Sequence, residues 1–199
     1  MKQLLYSLLL ILLVLSCGNT AEADSKKEMP DKKVEKPTKK KKNKENKVKG
    51  SFNLNIDGKT YKSGNLIQNY CDINKFYDGD KSSLTVRFKD QDTEESLILI
   101  LFGSESFIDN PVSTITNLGF SSTDLPRATL SFIGGEYPIH KSFNLGTGEL
   151  VIQEYKDGFI KGKINGTGGA LKDIMQKQNL VNVDGSFSLE TKNLNSVRK

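Results

Sequence analysis

The chain of 199 residues holds one histidine, His140, and two cysteines, Cys17 and Cys71. So few Cys and His side chains exclude a zinc site of the usual kind, which needs four such ligands or three and a water. If Cys17 is claimed by the N-terminal signal, Cys71 has no partner, and the fold must hold without a disulfide. Cys71 then reads as a small buried hydrophobe. No apolar run is long enough for a confident membrane-spanning helix: the longest, Leu4–Leu15, is interrupted by Tyr6 and Ser7. No G-x-S-x-G elbow is present, so His140 with nearby Glu136 and Ser142 does not make a recognisable hydrolase site. Gly166–Gly169 lacks the Lys-Ser/Thr of a phosphate loop and reads as turn chemistry, and Asn165-Gly166-Thr167 matches a glycosylation sequon by coincidence. Asp72, Asn74, Asp78 and Asp80 fail the calcium-loop spacing, because Tyr77 stands where the glycine should be and Ser83 where the glutamate should be. No metal and no cofactor is expected.

Excess charge is also missing from most of the chain. The whole carries +5, but residues 18–49 contribute 12 Lys against 6 acids, and Lys2 adds one. The remainder, 50–199, has 16 basic and 18 acidic residues, so 5 − 1 − 6 = −2. The high pI therefore belongs to one segment, and a nucleic-acid-binding domain is not implied.

The N-terminus has a different character. Met1-Lys2-Gln3 is followed by the short apolar core and then by Val14-Leu15-Ser16-Cys17-Gly18. This has the layout of an export signal, and it resembles the lipobox of bacterial lipoproteins, with Val14 where that family usually has Leu. The resemblance implies cleavage after residue 16 and acylation of Cys17 with chains such as palmitate. Two or more chains anchor a protein stably, whereas one binds only marginally. Gly18 rather than Asp after the cysteine favours the outer membrane of the cell envelope. Residues 17–49 hold few large apolar side chains and include Lys39–Lys42. Such a segment cannot repay its ordering entropy and reads as a disordered tether, about 100 Å long if fully extended. Its lysines are suited to anionic lipid, lipopolysaccharide or wall polymer, at about 1 kcal/mol each near such a surface.

From residue 50 the pattern becomes that of strands. Phe52–Ile56 alternates, turns at Asp57-Gly58 and resumes at Lys59, a strong hairpin signal. Leu84–Phe88 alternates. Leu97–Phe102 is apolar throughout and predicts a central strand buried on both faces. Ala128–Ile133 is a further strand. Leu150–Tyr155 and Phe159–Ile164 flank a turn at Asp157-Gly158, and Ser186–Glu190 reads as the last strand. One short helix is expected over Ala170–Gln178, with Leu171, Ile174 and Met175 on one face. The expected fold is all-β: an antiparallel sandwich or barrel of about seven to nine strands. Gly103–Pro126 carries too many apolar residues for an idle loop, and Phe107, Ile108 and Phe120 are its candidate binding residues. Ile56-Asp57-Gly58-Lys59, Ile160–Ile164 and Val181–Phe187 also resemble motifs of uncharacterised small lipoproteins of the Bacteroidetes, a likeness that bears on fold and address only. The functional expectation is a non-enzymatic domain that binds a small ligand or an envelope partner; the alternative is an envelope hydrolase or other enzyme.

Overall fold

Two tight turns organise the chain. β1 (Lys49–Ile56) returns as β2 (Lys59–Lys62) with Ile56 opposite Lys59. Asp57 and Gly58 have φ of 52° and 78°, the type I′ conformation whose twist matches that of paired strands. The second hairpin joins β8 (Lys141–Lys156) to β9 (Phe159–Gly169), with Lys156 opposite Phe159. The structure, a computed structural model, describes residues 48–119, 123–134 and 141–199. The signal, Cys17 and the tether through residue 47 lie outside these residues, as do Phe120, Glu136 and His140.

Between the hairpins run β3 (Asp72–Tyr77), β4 (Ser82–Lys89), β5 (Ser96–Gly103), α1 (Glu105–Asp109), β6 (Ser113–Ile115) and β7 (Arg127–Gly134). After β9 come α2 (Leu171–Gln176), β10 (Val181–Glu190) and β11 (Leu194–Arg198). The described residues therefore hold eleven strands, more than the seven to nine expected, with two short α-helices and one turn of 3-10 helix at Gln68–Tyr70. The strands not expected are β3, β6 and β11, which are three to six residues long and too brief to leave a clear period. All strands belong to one sheet, ordered β11-β3-β4-β5-β7-β8-β9-β10-β1-β2, with β6 paired to β8. The pairings are antiparallel except β11 with β3, which is parallel, so the sheet is mixed. Ser186–Glu190 is not the last strand.

The sheet curls on itself. β4 and β10 are separated in the sheet by β5, β7, β8 and β9, yet the rings of Phe88 and Phe187 meet edge to face with centroids 6.0 Å apart. Phe52 of β1 likewise meets Phe88 at 6.2 Å and Phe132 of β7 at 5.9 Å. One apolar interior results, lined by the alternating inward residues of both halves. β8 makes the bend possible: its register with β9 slips at Leu145/Thr147 and again at Ile152/Glu154, and bulges of this kind bend a strand and sharpen its twist.

A curled single sheet has only one inside, and this corrects the reading of Leu97–Phe102. Leu97, Leu99 and Leu101 are fully buried, while Ile98, Ile100 and Phe102 are half-buried on the outer face. The Arg127 guanidinium lies over the Phe102 ring at 4.2 Å. The glycine cluster Gly166–Gly169 is corrected too, since all four residues belong to β9. A Cβ on Gly166 would stand 2.0 Å from the Thr147 carbonyl oxygen, and one on Gly168 would strike the Phe143 ring at 2.6 Å. These glycines permit close strand approach at the bulge and the packing of a ring across the neighbouring strand.

Candidate functional site

Three parts of the chain line a groove of about 630 Å³ at one end of the curl. The β1–β2 hairpin supplies Ile56, Asp57, Lys59 and Tyr61. The facing ends of β7 and β8 supply Phe132, Gly134, Ser142 and Phe143, and the β9–α2–β10 connection supplies Asp173, Asn179 and Val181. Phe132 and Phe143 form a floor, only 2% and 7% exposed. Tyr61 is half-buried above them, its ring 4.8 Å from that of Phe132. The rim is polar: Asn179 donates to Asp173 at 3.3 Å, and the Lys59 ammonium lies 5.3 Å from the Tyr61 ring centroid. The volume lies within the range of small-molecule sites, about 300–1,000 Å³, and an apolar floor with a few polar groups is their usual chemistry.

α2 stands beside this groove. It begins at Leu171, within the expected span, but only Ile174 of its apolar face turns inward, where a Cβ on Gly146 of β8 would stand 3.4 Å from it. Leu171 and Met175 are 48% and 77% exposed, so the helix shows apolar side chains to solvent close to the groove.

A cluster of titratable groups sits elsewhere, where α1 meets β3. Tyr77 donates to Asp109 at 2.5 Å, and Lys75 pairs with the same oxygen at 3.0 Å. The Lys75 ammonium also faces the Tyr155 ring at 5.2 Å. Arg198 covers the Tyr77 ring at 4.6 Å and pairs with Glu105 at 2.6 Å. Burial alone would push Lys75 down, but its bonds to Asp109 and Tyr155 prevail and its pKa is raised. Burial pushes Tyr77 and Tyr155 up. The bonds from Tyr77 and Lys75 hold Asp109 below the usual carboxylate range. Each shift moves its group away from neutrality and reinforces the resting charge. General acid–base work calls for the opposite, a pKa brought near the operating pH. The cluster acts as a clamp that fixes α1 to β3.

The other conspicuous polar residues also have structural partners. Asp90 is 2% exposed and accepts from the backbone N–H groups of Gly64, Asn65, Asp92 and Thr93. Burial would raise its pKa, but these four donors outweigh it and hold the carboxyl low. Asp72 is ion-paired with Arg87 and accepts from Asn74, while Asp78 and Asp80 lie in the β3–β4 turn. Among the described residues no three His, Cys, Asp or Glu side chains are grouped so as to hold a metal. Cys71 is fully buried, as the sequence suggests; burial raises its pKa, and its sulfur accepts from the Lys89 N–H at 3.3 Å.

Of the candidate binding residues, Ile108 is fully buried within the core. Phe107 packs against the same core with its ring over Gly103. Phe120 lies outside the described residues. Neither Phe107 nor Ile108 lines the groove; of the described residues weighed above for chemistry, Ser142 and Gly169 do. The groove residues were legible one by one as strand or turn positions, but nothing in the sequence brings Tyr61, Phe132, Phe143 and Asp173 together.

Fold and site define a mostly β domain, one curled mixed sheet with an aromatic-floored groove at its end. Comparison with known families, characterised proteins and solved structures finds no match.

Proposed function

We propose that this protein is a lipid-anchored protein of the bacterial envelope whose β domain is an incompletely closed barrel that binds a small, partly apolar ligand in the groove, without catalysis. The single observation that carries this reading is the groove itself: about 630 Å³ over the rings of Phe132, Phe143 and Tyr61. Aromatic side chains bring much apolar contact area to a site. The anchor is the acylated Cys17, and the lysine-rich segment that follows spaces the domain from the bilayer and touches anionic lipid, lipopolysaccharide or wall polymer. The address is the outer membrane.

Native mass spectrometry of the chain purified from envelopes tests both parts. The expected spectrum shows the mass of an acylated Cys17 and a further mass that denaturation releases. The Tyr61→Ala variant should lose the releasable mass and keep the acyl mass. A wild-type chain with no releasable mass, which also takes up no small apolar compound on incubation, would sink the ligand reading. An unmodified Cys17 would sink the anchor.

A further inference from the structure

The groove carries a pattern of charge as well as an apolar floor. Its lining includes two carboxylates, Asp57 at the tip of the β1–β2 turn and Asp173 on α2. Asp57 accepts no side-chain hydrogen bond among the described residues. One oxygen of Asp173 takes a bond of 3.3 Å from the neutral Asn179 amide, and Asp173 has no ion pair among the described residues. Among the described lining residues, Lys59 is the one cation. Its ammonium does not pair with either carboxylate; it lies over the Tyr61 ring at 5.3 Å. An ammonium group is thus already seated on an aromatic face of this site, and it belongs to an exposed, flexible side chain that another cation can displace.

Resting on the ligand-binding reading of the groove, we infer that its ligand is an organic cation, an amine or quaternary ammonium carried on an apolar body. The apolar body would lie on Phe132 and Phe143, and the positive charge would take the Tyr61 face, in the field of the Asp57 and Asp173 carboxylates that line the same groove. A cation over an aromatic ring is drawn by the ring quadrupole, and desolvation strengthens the attraction. Two carboxylates at the mouth of an apolar groove add to it and disfavour an anion of the same shape.

The test is a titration of the full chain, followed by NMR, with three probes of similar size: benzyltrimethylammonium, benzyl alcohol and phenylmethanesulfonate. The expected order is ammonium, then alcohol, then sulfonate, with the ammonium about tenfold tighter than the alcohol. Asp173→Asn keeps the acceptor for Asn179, and Asp57→Asn suits a residue at positive φ. Each should weaken the ammonium about 3- to 10-fold and leave the alcohol unchanged. Lys59→Ala should strengthen the ammonium by a similar factor, since it removes both a like charge and a competitor for the ring. Equal binding of ammonium and alcohol, or an ammonium affinity indifferent to both Asp variants, would overturn the cation inference while the groove still binds. If none of the three probes binds, the inference falls together with the groove reading.

Discussion

Asp90 shows how much one side chain can organise. Its two oxygens gather four backbone N–H groups from the segments before β3 and after β4, and the Thr93 hydroxyl as well. Asp90→Ala strands those donors, and we expect a loss of about 2–3 kcal/mol in urea unfolding at neutral pH. Because the folded carboxyl titrates below its unfolded value of about 3.9, its stabilisation is fully present above that value. It fades as pH falls through the lowered folded pKa. The gap between wild type and Asp90→Asn should therefore narrow in melts taken below about pH 4. A gap that is constant from pH 7 to pH 2 would show that the charge of Asp90 plays no part. Gly162 illustrates the other residue-scale lesson. It stands opposite Phe187 in the β9–β10 register, and a Cβ there would lie 2.5 Å from the Phe187 ring. The sequence shows Gly162 and Phe187 only as separate members of two short motifs; the ring that lies on the glycine exists only once the strands are paired.

Among the elements, β11 is the loosest. All of its five residues are exposed, Leu194 and Val197 at 47% and 58%. It pairs with β3 alone and in parallel, the weaker arrangement per residue. Its ionic contacts, Arg198 with Glu105 and Lys199 with Asp78, are at the surface, where a pair contributes about 0–1 kcal/mol. The connection to β10 is held more firmly: Thr191 donates through its hydroxyl to the Cys71 carbonyl and through its N–H to the Gly158 carbonyl. Hydrogen exchange should show the amides of Leu194–Arg198 opening at least tenfold faster than those of β10, through local unfolding. Equal protection would mean that β11 is part of the cooperative sheet. The long elements, by contrast, were readable in advance. β4, the β8–β9 hairpin and the Asp57-Gly58 turn stand where alternation and turn residues put them, because period and turn chemistry are local properties.

At the scale of the domain, stability depends on the two halves of the sheet meeting across the interior. Phe52 touches Phe88 and Phe132 from the opposite side. Phe52→Ala should cost about 3–5 kcal/mol and lower the melting temperature by roughly 10 °C, with the transition still single if the curl is one cooperative unit. Two separate transitions in calorimetry would show that the halves fold independently. The sequence by itself determined the β class, the two hairpins, the strand periods, the burial of Cys71 and the near-neutral charge of 50–199, since each follows from neighbours along the chain. It could not determine that the strands form one sheet, that β11 runs parallel to β3, or that Leu97–Phe102 has a solvent side. These depend on which distant strands pair and on where β8 bends, and a period-two pattern is the same in a flat, curled or closed sheet. The groove belongs to the same class of fact. Tyr61, Phe132, Phe143 and Asp173 face one space because the β1–β2 hairpin, the ends of β7 and β8 and the β9–α2–β10 connection meet there, and that meeting follows from which distant strands pair.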